Sequence, residues 1–176
     1  LSFNGNKTIT TGGGGAILTN DENLADRAKY LTTTAKVPHP WQYFHDQIGY
    51  NYRMPNINAA LGCAQMEALP NFIQKKRALA KQYQNAFQNL KGIECFLEPD
   101  FAESNYWLNA IIIEDIGFNL RNQLIEDINA QNIMVRPAWT LMNQLPMFKD
   151  CPKMDLGISE KTEKTLINLP SSAVMP

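Results

Sequence analysis

The residue with the clearest chemical potential is Lys7, which stands five residues after Ser2 and just before four consecutive glycines, residues 12–15. A primary amine here can form a Schiff base when burial or a nearby cation lowers its pKa. It can equally be a solvated lysine at the end of a strand, and the residues alone leave both interpretations open. The segment is not a P-loop, because GxxxxGK[ST] places its glycines before the lysine.

A second group of chemically capable side chains occupies a stretch without helical or strand periodicity, residues 32–52. It contains His39, Trp41, Tyr43, His45 and Asp46. About 20 residues is long for a simple connection, and such loops are typically functional. The aromatic rings can stack on a nucleobase or simply pin the loop. Two histidines and one aspartate do not follow the spacing of metal ligands, so we expect no metal.

The composition excludes several classes of protein. Of the 176 residues, 16 are Lys or Arg and 17 are Asp or Glu, giving a net charge of −1. This balance argues against a nucleic-acid-binding protein. No apolar run approaches the ~18 residues of a membrane span. The three cysteines are far apart and form no CxxC pair, and the opening residues do not resemble a signal peptide, so we expect a cytoplasmic protein.

The elements that must position these residues follow from their periodicity. β-Branched residues on both sides of the glycines predict two short strands with an irregular turn or a close backbone approach between them. Asn20 or Asp21 can cap a helix that runs to about Leu31. A second helix is predicted from about residue 57 to 68, and Pro70 either kinks it or begins a new one that ends near Gly92.

The second half of the chain alternates strands and helices. Residues 93–97 and 107–113 read as strands, Asn119 is the predicted cap of a helix through about Ile128, and residues 132–136 form a further short strand. The remainder reads as helix fragments and loops. Met54, Met66, Tyr83 and Phe87 are expected in the core. This alternation predicts a small α/β layer domain.

Four blocks of the sequence, taken in order, resemble one family. Residues 2–17 read SFNGNKTITTGGGGAI, residues 49–62 read GYNYRMPNINAALG, residues 136–139 read RPAW and residues 169–172 read LPSS. Together they are similar to the DegT/DnrJ/EryC1/StrS family of sugar aminotransferases, which use pyridoxal 5′-phosphate (PLP). The blocks cover nearly the whole chain. The sequence of residues 49–62 most resembles the corresponding segment of enzymes that make 4-amino sugars for bacterial surface glycans, such as the legionaminic-acid type.

The resemblance implies roles for individual residues. Lys7 would hold PLP as a Schiff base and then carry the proton during amino transfer. Ser2 would contact the PLP phosphate, and Asn51 would reach the phosphate of the other subunit, so a homodimer would share its active sites. Arg53 would bind the phosphates of a nucleotide sugar. Three further candidates for substrate binding are His39, Tyr43 and Arg136. The amino donor would be an amino acid, and the resemblance implies glutamate.

The resemblance also implies a fold and its division. The chain would be the C-terminal half of a fold type I PLP-dependent transferase, with residues 1–55 ending the large PLP-binding domain and residues 56–176 forming the linking helix and a small C-terminal α/β domain. Family members are longer, and their N-terminal half supplies several cofactor contacts. We therefore expect the isolated chain to be inactive.

Two other functions are considered beside the aminotransferase. The chain can be a non-catalytic remnant or dimerisation module that binds no cofactor, with apolar faces exposed. It can also be a PLP-dependent sugar dehydratase, although some of those relatives carry His where this chain has Lys7, which argues against it. Visible absorbance of a bound cofactor separates the first possibility from the aminotransferase. Conversion of bound PLP to its amine form by glutamate separates the second.

Overall fold

The computed structural model describes residues 1–173. The chain divides into two compact units, the first comprising Leu1–Pro70 and the second beginning at Asn71. The division falls within a long helix, whose first turns belong to the unit that contains Lys7. The predicted domain boundary between residues 55 and 56 concerns the whole protein and stays a prediction.

The first unit opens with a short antiparallel pairing between residues 1–3 and 14–16. Ser2 lies opposite Gly15, and the Phe3 N–H donates to the Gly14 carbonyl over 3.0 Å. A Cβ atom at Gly15 would lie 2.5 Å from the Leu1 carbonyl oxygen, so only glycine fits this close approach. The predicted strands on either side of the glycines are therefore wrong, because the end of the glycine run itself makes the pairing. The predicted close approach is confirmed.

Helix α1 spans Glu22–Thr32 and is capped by Asp21, whose carboxylate accepts the Leu24 N–H over 3.1 Å. This confirms the predicted cap, since an aspartate before the first turn satisfies a backbone donor that the helix leaves unpaired. The segment from residue 33 to 55 contains no helix and no strand longer than an isolated bridge. The expectation of a long loop here is confirmed.

Helix α2 spans Asn56–Phe87 without interruption and contains Pro70. Of the two predicted alternatives, a kink or a new helix at Pro70, the new helix is therefore wrong. Proline removes one hydrogen bond and disfavours a helix interior, but the turns on both sides retain theirs. The helix ends at Phe87. Gly92, five residues later, lies in the turn that follows and has a φ of +77°.

The second unit contains a four-stranded antiparallel sheet in the order β1-β2-β4-β3. Its elements are β1 (Ile93–Cys95), β2 (Asn109–Ile113), α3 (Phe118–Ala130), β3 (Arg136–Pro137), α4 (Gly157–Thr165) and β4 (Leu166–Leu169), with short 3-10 helices at Met142–Gln144 and Pro146–Phe148. The predicted strand at 132–136 is shorter and begins at its last residue. Strand β4, which lies between β2 and β3, was not predicted.

The core of the second unit lies where helix α3 packs on this sheet. Its buried members are Ile111, Ile125, Val135 and Ile167, and Phe87 packs against them. Helix α3 begins after Gly117, which provides no side-chain cap, so the predicted cap at Asn119 is wrong. The expectation that Met66 belongs to the core is also wrong, since it is 55% exposed. Among residues 1–173, none of the helices combines the length and apolar character that a membrane span requires.

Candidate active site

Lys7 lies in a loop of residues 4–10 whose two ends are fastened together. The Phe3 carbonyl accepts two hydrogen bonds, from the Thr11 N–H over 3.1 Å and from Thr10 Oγ1 over 3.0 Å. Within the loop, the Lys7 N–H donates to the Asn4 carbonyl over 3.0 Å. The lysine side chain is half-buried. The loop therefore carries one lysine, and the hydrogen bonds to the Phe3 carbonyl hold the two ends of the loop together.

Hydroxyl groups stand on both sides of this amine in the sequence. Ser2 is exposed, and its Oγ lies 3.5 Å from the Asn4 nitrogen. The Thr8 hydroxyl oxygen is buried and has no hydrogen-bond partner within residues 1–173. A buried polar atom without a partner is unusual in a folded protein and marks a place where another group can complete the site.

The first three turns of α2 support the loop. Asn58 Nδ2 donates to the Thr11 carbonyl over 2.6 Å, and the Thr10 N–H donates to Gln65 Oε1 over 3.3 Å. Between these two residues, a Cβ at Gly62 would lie 3.0 Å from the Thr11 methyl group. Asn58 and Gln65 were not predicted as site residues from the sequence. Their spacing with Gly62, at i, i+4 and i+7, was the signal, because it places two amides and a small residue on one face of the helix.

The segment that contains Asn51 and Arg53 runs beside the C-terminal end of α1. Tyr50 N–H donates to the Leu31 carbonyl over 2.7 Å and Tyr52 N–H donates to the Thr32 carbonyl over 2.9 Å. Asn51 lies opposite Thr33 and is exposed. The backbone is thus fixed on either side of Asn51 while its amide remains available to a ligand or a partner.

Arg53 lines a cleft of about 850 Å³ in the first unit. Lys29 of α1 also lines it, together with glycines 13–15, Tyr52 and Met54. Two cations beside backbone that carries no side chains can accommodate an anionic group such as a phosphate. This arrangement is compatible with the role that the sequence resemblance implies for Arg53.

The loop that carries His39 and Tyr43 is held by local contacts. His39 Nδ1 accepts the Gln42 N–H over 2.9 Å, which leaves Nε2 as the ring nitrogen that carries the proton in the neutral form. The ammonium group of Lys36 lies 3.9 Å from the centre of the Tyr43 ring. Both Tyr43 and His39 are exposed.

The remaining polar residues of this loop have structural partners. Tyr30 donates its hydroxyl to Asp46 over 2.6 Å, and this hydrogen bond lowers the pKa of Asp46 and raises the pKa of Tyr30. His45 Nδ1 lies 2.7 Å from the Thr34 carbonyl oxygen. Within residues 1–173 no group of three His, Cys, Asp or Glu side chains is arranged to hold a metal ion.

Arg136 belongs to the second unit, where it lies on β3 opposite Asn168 and is exposed. Close to it in the sequence, Trp139 is 64% exposed and stacks on Trp107 with ring centres 6.2 Å apart. The structure places Ser2, Lys7, Asn51 and Arg53 in the first unit, with Ser2 on the paired segment and Lys7 in the loop that follows it. Arg136 and its neighbouring tryptophan lie on the other unit.

Lys76 on α2 is a buried cation of the second unit. It is 5% exposed, and its ammonium group donates to the carbonyls of Tyr106, Trp107 and Ser171 over 3.3, 3.2 and 2.5 Å. Burial lowers the pKa of Lys76. The side chain thus joins α2 to two backbone segments of the second unit, residues 106–107 and the block LPSS that resembles the family.

Comparison with known proteins identifies the family to which this chain belongs. A sequence profile of the DegT/DnrJ/EryC1/StrS aminotransferase family matches residues 1–176. The GDP-perosamine synthase of Escherichia coli O157:H7 is 38% identical over 173 residues, which are 97% of this chain and 45% of that protein. The GDP-perosamine synthase of Vibrio cholerae is 33% identical and is covered to 46%. The chain thus spans less than half the length of these relatives.

Solved structures show the same fold. The aminotransferase TlmJ of Streptoalloteichus hindustanus superposes with a TM-score of 0.90 at 19% identity, over 99% of this chain and 47% of that one. PseC of Helicobacter pylori, an aminotransferase involved in the biosynthesis of pseudaminic acid, gives a TM-score of 0.87 at 23% identity, over 96% and 46% of the two chains. The predicted α/β fold, part of a fold type I PLP-dependent transferase, is confirmed. The chain belongs to the DegT/DnrJ/EryC1/StrS aminotransferase family, whose members are PLP-dependent sugar aminotransferases.

Proposed function

We propose that this chain forms the lysine-bearing, C-terminal part of an enzyme that transfers an amino group from glutamate to a keto group of a nucleotide-linked sugar. The observation that carries the proposal is Lys7, a half-buried amine on a loop that is fastened at both ends. The similarity to GDP-perosamine synthases supports a nucleotide sugar as the substrate. The product would be a 4-amino sugar for a bacterial surface glycan.

The residues around Lys7 fit PLP. The cofactor needs a primary amine for its aldehyde and several donors for its phosphate, and the segment offers Lys7, the Ser2 hydroxyl and the buried Thr8 hydroxyl, which has no partner within residues 1–173. When bound, PLP supplies an electron-withdrawing ring that stabilises negative charge on the carbon from which the proton is taken.

The chain's own part in the reaction centres on the Lys7 nitrogen. Lys7 Nζ would hold the cofactor through its aldehyde carbon. The same amine, once free, would serve as the group that accepts and donates the proton during amino transfer. Half-burial of the side chain reduces its contact with water, and the closed loop limits how far the nitrogen can move.

Other residues bind and orient. Ser2 donates its hydroxyl to the cofactor phosphate, and the exposed amide of Asn51 donates to the phosphate held by a second copy of the protein. A complete site therefore requires a homodimer. Arg53 binds the diphosphate of the nucleotide sugar, because a guanidinium donates two parallel hydrogen bonds to phosphate oxygens. His39, Tyr43 and Arg136 contact the nucleotide or the sugar.

The test is turnover by the whole protein that contains this chain. With glutamate and a nucleotide-linked 4-keto sugar, it should release 2-oxoglutarate and an amino sugar, and Lys7→Ala should abolish both. Lys149→Ala, a substitution of an exposed lysine of the second unit, is the matched control and should retain activity. A product that has lost a hydroxyl group without gaining an amine would instead identify a dehydratase.

A further inference from the structure

One face of helix α2 contacts the chain where the lysine loop ends, at Thr10 and Thr11. Asn58, Gly62 and Gln65 follow at i, i+4 and i+7, so they share that face. Asn58 donates to the Thr11 carbonyl over 2.6 Å, and Gln65 accepts the Thr10 N–H over 3.3 Å. The helix thus binds both a carbonyl and an N–H of two consecutive residues.

These two residues also close the lysine loop. Thr10 and Thr11 both donate to the Phe3 carbonyl, which lies at the start of the loop. Thr11 is only 3% exposed, so the hydrogen bond from Asn58 to its carbonyl is shielded from competing water. A shift of Asn58 would be passed through Thr11 to both ends of the loop.

The distance between helix and loop is fixed by packing as well as by hydrogen bonds. A Cβ atom at Gly62 would lie 3.0 Å from the Thr11 methyl carbon, and a Cβ atom at Gly12 would lie 3.7 Å from Asn58 Nδ2. The next residue, Gly12, has a φ of +79°, so the chain turns away immediately after this contact. The contact therefore defines where the loop ends.

From these contacts we infer that Asn58 is a positioning residue for Lys7, with Gln65 as its second anchor on the helix. The inference rests on the proposed function, in which the Lys7 amine captures PLP. Through its hydrogen bond to Thr11, Asn58 sets the conformation of the loop, so that Lys7 Nζ meets the aldehyde of PLP in the orientation that permits bond formation.

The test compares Asn58→Asp with Asn56→Asp in the whole protein. Aspartate at position 58 keeps the size of the side chain but replaces the donor with an oxygen that faces the Thr11 carbonyl. Asn56 is the exposed first residue of the same helix, so its substitution introduces the same charge without touching the loop. Hydrogen–deuterium exchange of a peptide spanning residues 3–12, without cofactor, should accelerate about five- to tenfold in Asn58→Asp only.

Two chemical probes then distinguish positioning from loosening alone. PLP trapped with borohydride measures productive capture by Lys7, and acetic anhydride measures general access to the amine, both by peptide mapping. Asn58→Asp should reduce the PLP adduct on Lys7 about five- to tenfold while acetylation of Lys7 stays equal or increases. Asn56→Asp should leave both unchanged.

Unchanged exchange of residues 3–12 in Asn58→Asp would overturn the inference. Faster exchange with undiminished PLP capture by Lys7 would also overturn it, because the contact would then be merely structural. Absence of a Lys7 adduct in the wild-type protein would instead contradict the proposed function. The exchange and acetylation measurements would still decide, in that case, whether Asn58 controls the loop.

Discussion

Replacing Gly49 with alanine should disrupt the segment that carries Asn51. A Cβ at Gly49 would lie 2.4 Å from both the Ala35 nitrogen and the Thr34 carbonyl carbon, and 2.8 Å from the Ala35 Cβ. Ordinary contacts between such atoms are about 3.5 Å or longer. All three neighbours belong to or adjoin the backbone, so no flexible side chain can move away. The two chain segments must separate by about 1 Å to restore normal contacts.

The cost of this separation follows from the bonds that cross it. Thr34 N–H donates to the Tyr50 carbonyl over 3.0 Å and Tyr52 N–H donates to the Thr32 carbonyl over 2.9 Å. Lengthening both by about 1 Å removes them as effective hydrogen bonds, at about 1 kcal/mol each. Overpacking adds about 1–3 kcal/mol. We therefore expect Gly49→Ala to lower the free energy of unfolding of the first unit by about 3–5 kcal/mol.

Urea denaturation and hydrogen–deuterium exchange of residues 31–35 and 50–52 measure this effect. Gly5→Ala is the matched control, because a Cβ at Gly5 meets nothing within 4 Å and should change the free energy of unfolding by less than about 0.5 kcal/mol. Equal stability of the two variants, with unchanged exchange around Ala35, would refute the reasoning.

Two further predictions concern charged residues of the second unit. Lys76→Met should lower the free energy of unfolding by about 2–3 kcal/mol, because three carbonyls lose their donor. Burial lowers the pKa of Lys76, so the unfolded chain binds the Lys76 proton more tightly than the folded chain does. The wild type should therefore gain stability relative to Lys76→Met as the pH rises toward 10.5. Urea titrations at several pH values would detect or exclude this gain. Hydrogen bonds from Arg77, and next from the Ser104 N–H, lower the pKa of Glu98. The ionised Glu98 therefore stabilises the folded state above pH 4.5, and this stabilisation is lost as the pH falls below that value. The thermal midpoints of wild type and Glu98→Gln should accordingly converge in acid, and a constant difference would show that this ion pair does not respond to pH.

The sequence predicted those parts of the fold that depend on local interactions. Asp21 caps α1 through its own side chain three residues from the donor, and this needs no knowledge of the rest of the chain. Pro70 was a poor guide, because the rule that it interrupts a helix considers one lost hydrogen bond and not the packing of the flanking turns. Strand β4 was missed because its four residues follow directly on α4, and so short an apolar run has no periodicity of its own.

The residues of the candidate site likewise divide into those that the sequence could indicate and those whose contacts depend on the tertiary fold. Lys7 and the GYNYRM segment could be identified from sequence, since the residue types and their order resemble one family. The bond between Asn58 and Thr11 joins residues 47 positions apart, and the three carbonyls around Lys76 come from positions 30 to 95 residues away. Such contacts are set by the tertiary fold, so the spacing on α2 could suggest a shared face but could not identify what that face would contact.

The most direct test of the central claim, that Lys7 is the residue that holds PLP, is one mass spectrum. The protein is incubated with PLP, reduced with borohydride and analysed as intact mass and by peptide mapping. We expect a single pyridoxyl adduct on the peptide that contains Lys7, and its loss in Lys7→Ala. An adduct spread over exposed lysines such as Lys29 and Lys149, with none on Lys7, would contradict it.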